Sequence, residues 1–258
     1  MRIKEISDSF FSLLYPDRCP GCNEVLPMDQ NGFCPKCTRR IIIADEPACK
    51  RCGRLLYDDT VSLCRECIQG EHEFIQNKSY CLYEGPAKKA MYRFKYNGAA
   101  WAGRAFSKGI VSEHIRWFES IRVQAVIPVP MYPGKERIRG YNQARILAEN
   151  IVKILQENEA TKDIILTDPV SRGRSTVPQK DLSVSIRRKN LKKAFKLKKN
   201  VVKLRGIYSD RDSALYNRVL LVDDIFTTGA TLDAVSQLLI EGKIAREVYS
   251  VTAVTGSV

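Results

Sequence analysis

Histidine is scarce in this chain. His72 and His114 are the only two in 258 residues, so chemistry built on a histidine general base is not the first place to look. Long apolar runs are missing too, and no stretch approaches the ~18 to 20 consecutive apolar residues that a membrane span requires. The N-terminal MRIKEISDSFFSLLYPDRC carries basic Arg2 and Lys4, an apolar patch of only Phe10, Phe11, Leu13 and Leu14, and no small-residue cleavage site. That argues against secretion and predicts a cytoplasmic protein. Acidic residues fall short of basic ones, 29 against 42, leaving a formal net charge of +13. Two nucleotide signatures are absent: there is no Walker A loop and no Gly-x-Gly-x-x-Gly turn. What remains is a globular composition, 44% hydrophobic, sufficient for one large cored domain or two smaller ones.

Cysteine is plentiful. Eight of the nine fall in C-x-x-C pairs, Cys19/Cys22, Cys34/Cys37, Cys49/Cys52 and Cys64/Cys67, leaving Cys81 alone. Each cysteine of the first two pairs lies 30 residues before its counterpart in the last two, so C-x2-C-x11-C-x2-C occurs twice. This is an internal duplication. Two thiolates three apart in a tight turn chelate one ion, and a second pair closes a tetrahedral four-thiolate shell around zinc. Disulfides suit a chain without a secretory signal poorly. A full thiolate shell leaves no open coordination position, so the zinc is read as structural, supplying folding energy to a head with few apolar residues. Two pairings satisfy the spacing, sequential pairs or an interleaved cross-brace joining Cys19/Cys22 to Cys49/Cys52, and the sequence leaves both open, with one or two ions. His72 reads as an ordinary surface or turn residue, and Cys81, in the strand-like run Tyr80 to Tyr83, as a buried small hydrophobe.

After Cys67 the polar segment Ile68 to Lys78 leads into alternating strands and helices. The expected division is a zinc-binding domain over 1–78 and an α/β domain over 79–258. Pro86 suits a first helical turn, with Ala87, Ala90, Met91 and Phe94 on one apolar face. A second helix is predicted from Trp101 to about Phe118, a buried strand over Val123–Val129, and a helix presenting Ala144, Leu147, Ala148, Ile151, Ile154 and Leu155. Further strands are predicted at Asp163–Leu166, Val219–Val222 and Glu247–Val254. This order predicts a mostly parallel, doubly wound α/β sheet.

The sharpest functional signal is Val219-Leu-Leu-Val-Asp-Asp-Ile-Phe-Thr-Thr-Gly-Ala-Thr-Leu232. An apolar strand ends in Asp223 and Asp224, a turn of Thr227, Thr228, Gly229, Ala230 and Thr231 follows, and Leu232, Val235, Leu238 and Leu239 then mark a helix that Gly242 closes. Open α/β sheets bind ligands at this edge. Backbone N–H groups at the helix N-terminus, with threonine hydroxyls, suit a phosphate. The acidic pair suits sugar hydroxyls or a magnesium-bound part of the same ligand.

These residues resemble the 5-phosphoribosyl-1-pyrophosphate (PRPP) signature of type I phosphoribosyltransferases, V-D-D-x-x-T-T-G-x-T. The wider chain is similar to one branch of that superfamily, the ComF competence proteins. Its supporting segments are the C-x-x-C head, Tyr83-Glu-Gly with Lys95-Tyr-Asn-Gly98, Ile127-Pro-Val-Pro130, Arg137-Ile-Arg-Gly-Tyr-Asn-Gln-Ala144 and Arg174-Ser-Thr-Val-Pro-Gln179 with Leu182-Ser183, Arg187, Asn190 and Ala194-Phe195. Asn200 to Asn217 departs from the pattern as a longer, more charged connector. The resemblance implies that Asp223 and Asp224 hold the ribose hydroxyls and that Thr227 to Thr231 cradle the 5-phosphate. It places the turn after Pro130 at the pyrophosphate loop, with Arg137 and Arg139 as nearby cations, and makes Arg174 to Asn190 a hood. The ligand would be PRPP or ribose 5-phosphate with Mg²⁺. No motif names a catalytic residue, so transfer of a phosphoribosyl group and PRPP sensing without catalysis both stay open.

Between Arg187 and Arg205 there are ten basic residues and no acidic one. Such a block is either a solvated face or a polyanion contact. Arg187, Arg188, Lys189, Lys192 and Lys193 are the candidate nucleic-acid residues, with Phe195 expected to pack inward. The resemblance implies single-stranded DNA and proteins of the competence machinery as partners.

Overall fold

The computed structural model describes residues 16–256 apart from positions 28, 29, 31, 46, 71, 174–192 and 200–213. Its framework is a five-stranded parallel sheet built from β1 (Gln76–Leu82), β2 (Ala125–Pro128), β3 (Ile165–Leu166), β6 (Tyr216–Phe226) and β7 (Ala245–Thr255). Their order across the sheet is β1-β7-β6-β2-β3. A separate antiparallel pair consists of β4 (Val170–Arg172) and β5 (Phe195–Leu197). The 78/79 division expected from composition falls inside β1, whose residues pair with β7 from Gln76 onward.

Val219 to Val222 is an unbroken apolar run because both faces of β6 are covered. Leu220 and Val222 join a core with α3 (Gly85–Tyr96), α4 (Ala102–Ile121) and α6 (Gln143–Leu155). Val219 and Leu221 face the other way, toward α7 (Ala230–Glu241) and the β4/β5 pair. The predicted helical faces are the buried ones: Ala87, Ala90, Met91 and Phe94 on α3, and Leu147, Ala148, Ile151 and Leu155 on α6. Gly242 does end α7, though not through a left-handed turn. Its φ is −73°, Lys243 adopts the positive φ instead, and a Cβ on Gly242 would come within 2.4 Å of Leu197.

The cysteine duplication is reproduced in three dimensions. Short helices α1 (Pro35–Thr38) and α2 (Arg65–Gln69) each start just after a cysteine, Cys34 and Cys64. Isolated bridges Arg18–Val25 and Ala48–Leu55 occupy equivalent places in the two repeats. The repeats lie on opposite faces of the sheet. In the first, Phe33 packs edge-on against Phe106 at 5.5 Å, and Arg93 of α3 donates to the Pro20 and Gly21 carbonyls at 2.6 and 2.7 Å. The second shares its core with Phe74, Phe226 and α7. The segment between them lies along the outer edge of β1, where Ala44 N–H donates to Tyr80 O and Leu82 N–H to Ile42 O. An otherwise open sheet edge is thereby paired. Among the described residues no helix is long and apolar enough to cross a membrane.

Candidate functional site

Two four-cysteine clusters form, Cys19/Cys22/Cys34/Cys37 and Cys49/Cys52/Cys64/Cys67, each with its sulfurs within 4.8 Å of one another. Pairing is therefore sequential, and the cross-brace is excluded. The donor sets suit zinc on chemical grounds. Equivalent backbone N–H groups, of Cys34 and Cys64, point at Cys19 and Cys49 Sγ at 3.3 Å, a contact that favours thiolate. Four crowded thiols cannot all ionise without a cation: hydrogen bonding with Cys49, then burial, pushes Cys52 up to about 12. The clusters are consistent with two structural zinc ions, each held by four thiolates with no open position. Cys81 is fully buried within β1, as its apolar neighbours suggested.

At the carboxyl ends of β6 and β2 lies a cleft of about 240 Å³, lined by Lys95, Pro130, Met131, Lys135, Arg139, Asn142, Arg172, Asp223, Asp224 and Thr231, among others. The strand register explains the position: β2 and β6 run parallel with Pro128 opposite Val222, where β2 ends, while β6 runs on against β7 to Phe226, so Asp223 and Asp224 stand just past the end of β2. After Pro130 the chain turns into α5 (Pro133–Arg139), which brings Lys135 and Arg139 to the cleft. Gly140, at φ +83°, stops that helix. Asn142 then caps α6, accepting from Ala144 N–H at 3.1 Å and donating to Val129 O at 3.0 Å. Tyr141 Oη–H and Gln143 Nε2–H both donate to Phe94 O, one of the last α3 carbonyls and so without an intrahelical partner. The Gly-Tyr-Asn-Gln run is thus the scaffold that fixes Arg139 against α3.

Charge in the cleft is arranged in two halves. Asp224 pairs with Lys95 Nζ at 2.8 Å, both side chains largely buried. Asp223 accepts from Asp224 N–H at 2.8 Å, and burial, reinforced by the Asp224 charge, pushes its carboxyl up to about 7. Opposite, burial and the neighbouring Arg172, Arg139 and Lys95 charges lower the Lys135 ammonium below its ordinary value. An anion bound beside these cations would offset that crowding. A second cleft of about 220 Å³ adjoins the first, shares Pro130, Met131, Asn142 and Arg172 with it, and adds Glu136, Arg145, Asp168 and Lys198.

Of the residues expected at the site, Asp223, Asp224, Thr231 and Arg139 line the main cleft. Arg137 does not; it is exposed on α5. Two positions along a helix turn the side chain by about 200°, so Arg137 and Arg139 cannot face one cleft together. Thr227 and Thr228 are exposed on the turn, Gly229 is buried, and Ala230 opens α7. Lys95, Lys135 and Arg172 were not singled out from sequence. Of the three, Lys95 alone sits in a segment with a sequence signal, Lys95-Tyr-Asn-Gly98. Arg187, Arg188, Lys189, Lys192 and the Arg174 to Asn190 hood lie outside the described residues; Lys193 is exposed beside β5 and Phe195 is buried.

The turn is held from the second cysteine repeat. Arg54 donates to Thr227 O, pairs with Glu66 and lies 5.6 Å from the Phe226 ring centre. His72 is no surface residue: its side chain is 7% exposed, stacks on Phe74 at 4.5 Å and donates from Nδ1 to the Asp233 carboxylate at 3.0 Å. His114 is also structural, donating from Nε2 to Ser79 O at 3.0 Å, with burial lowering its pKa. Gly229 has φ +75°, and a Cβ there would lie 2.8 Å from His72 Cε1. Gly140 has an equally positive φ but open space around it. Gly140→Ala is therefore expected to cost the backbone penalty alone, about 1 kcal/mol, and Gly229→Ala about twice that. Chemical denaturation of the two variants reads the difference, and equal losses would mean that the His72 ring yields freely.

This architecture defines an α/β protein with a five-stranded parallel sheet, preceded by a double zinc ribbon with two four-cysteine clusters. A family model described as a double zinc ribbon domain matches residues 10–82. Competence protein F of Haemophilus influenzae is 31% identical over 225 residues, covering 86% of this chain and 90% of its own. Competence protein ComFC of Bacillus subtilis is 26% identical over 94% of this chain and 86% of its own, and the DNA utilization protein YhgH of Escherichia coli K12 is 26% identical over 90% and 95%. The chain belongs to the ComF family of competence and DNA utilization proteins.

Proposed function

We infer that this chain binds PRPP or a related ribose 5-phosphate with Mg²⁺ and serves DNA uptake or use in the cytoplasm. The observation that carries the reading is the single cleft joining Asp223 and Asp224 to Lys95, Lys135, Arg139 and Arg172. A carboxylate pair accepts hydroxyl hydrogen bonds, and the cations beyond the Lys95–Asp224 pair match phosphate groups; one ligand carrying both features is a phosphorylated ribose. Thr231 and the first amides of α7 would receive the 5-phosphate, while Lys135 and Arg139 would meet the pyrophosphate. Bound Mg²⁺ would screen the pyrophosphate as a leaving group. For DNA, support comes from the names of the relatives and from the net charge of +13.

Calorimetric titration of the zinc-loaded protein with PRPP and Mg²⁺ tests the ligand. Micromolar binding is expected, lost in Asp223→Ala/Asp224→Ala with zinc content unchanged. Binding retained in the double variant would show that the acidic pair has been misread. Pyrophosphate released from PRPP with candidate acceptors would make the chain a transferase.

A further inference from the structure

Residues 85–112 contain six cations, Lys88, Lys89, Arg93, Lys95, Arg104 and Lys108, and no acidic residue. This stretch builds α3 and the start of α4. The buried face of α3 is accounted for by Ala87, Ala90, Met91 and Phe94. Its other face presents Lys88, Lys89, Tyr92 and Tyr96 to solvent. Tyrosine in a monomeric surface usually hides much of its ring; here Tyr92 is 56% and Tyr96 61% exposed, one helical turn apart, with ring centres 5.1 Å apart. Trp101, just beyond the helix, is 38% exposed. The row does not end in open solvent: Arg139, which lines the cleft, lies over the Tyr96 ring at 5.1 Å. Aromatic rings and cations therefore continue without a break from the rim of the candidate ligand cleft along α3.

We propose that this face of α3 is a stacking platform for single-stranded DNA, with Tyr92 and Tyr96 receiving bases and Lys88 and Lys89 receiving phosphates. The chemistry selects the partner. Exposed rings beside Lys88, Lys89 and Arg139, with the acidic Glu84 on their line only at the far N-cap of α3, suit an unpaired strand, whose bases offer π-faces and whose backbone is a polyanion; a duplex hides its bases. The choice of DNA rests on the family role proposed above, but the platform is separate from the Arg187 to Arg205 run and from the sugar-phosphate site.

Fluorescence anisotropy with a labelled twenty-nucleotide oligo-dT, and with an abasic oligonucleotide of equal length, reads the interaction in the full zinc-loaded protein. The abasic strand keeps the phosphates and lacks the bases. Wild type is expected to prefer oligo-dT, and Tyr92→Ala to weaken oligo-dT binding about tenfold while leaving the abasic strand unaffected. Tyr92→Phe, which keeps the ring, should restore affinity. Lys88→Glu/Lys89→Glu should weaken both strands and flatten the salt dependence. Titration with PRPP should be the same for Tyr92→Ala as for wild type. Three results would overturn the platform: no oligo-dT binding by wild type, equal affinity for the two strands, or oligo-dT binding untouched by Tyr92→Ala. The last would leave DNA contact to the basic run alone, and none of the three bears on whether the cleft holds PRPP.

Discussion

Replacing Cys49 and Cys52 together by Ser is expected to remove one zinc ion per chain and to weaken sugar-phosphate binding by about tenfold or more. Replacing Cys19 and Cys22 should also remove one ion, yet change that binding by only about threefold. The asymmetry follows from where the repeats sit. Arg54, between the pairs of the second cluster, holds Thr227 O, and His72, just after it, holds Asp233 in the first turn of α7. Arg51 ties the two together by donating to His72 O at 2.8 Å. Asn77 of β1 anchors the same repeat, donating from its side chain to Cys52 O at 3.0 Å and from its backbone to Arg51 O at 2.8 Å. Without its ion the second repeat has too little apolar surface to keep these groups in place. Among the described residues the first cluster's hydrogen bonds toward the cleft run through Arg93, two residues before Lys95, and the end of α3 is separately pinned by Tyr141 and Gln143. Zinc content, PRPP titration and amide exchange across 226–232 should be measured on the same preparations. Arg54→Ala isolates the cause, since it leaves all eight thiols intact; full affinity in that variant would mean that Gly229 and α7 set the turn unaided.

Much of this arrangement was legible in the residues. The strand, acidic pair, hydroxyl-glycine turn and helix are contiguous, so local pattern alone placed Asp223, Asp224 and the turn. The repeated cysteine spacing announced two equivalent units for the same reason. Pairing was not legible, because both solutions obey identical spacing and only the chain path between the repeats, over the edge of β1, separates them. Lys95, Lys135 and Arg172 come from α3, α5 and β4, and no local pattern marks cations that converge only when three elements meet at one sheet edge. His72 looked like a turn residue because it follows a polar segment; its partner, Asp233, lies 161 positions away. Arg137 and Arg139 were read together as nearby cations, and helical periodicity turns them apart, so only Arg139 lines the cleft.

The ligand-free protein should lose stability as pH rises from about 5.5 to 7, and Asp223→Asn should abolish that part of the loss. Asp223 carries a raised pKa of about 7, from burial first and the Asp224 charge second, against an ordinary 3.8. For a carboxyl raised by folding, the native state holds its proton more tightly than the unfolded chain does. Its contribution is therefore intact below the ordinary value and is lost as pH climbs through the folded value. Each pH unit in that interval costs about 1.4 kcal/mol, so the window from 5.5 to 7 is worth up to about 2 kcal/mol, and about 1 after allowance for residual exposure. In a chain of this size that moves the melting temperature by about 2–4 °C. Comparing wild type with Asp223→Asn at each pH cancels the titration of the zinc ligands, which both share. The two curves should diverge with rising pH, the variant becoming the more stable; parallel curves would place Asp223 at an ordinary pKa. Saturating ligand should reverse the order, because ribose hydroxyls donate best to an ionised carboxylate and the variant cannot supply one. The same stored cost predicts proton release on binding, visible as a dependence of the calorimetric enthalpy on buffer ionisation heat. That release should be smaller in Asp223→Asn by the fraction of a proton that Asp223 surrenders.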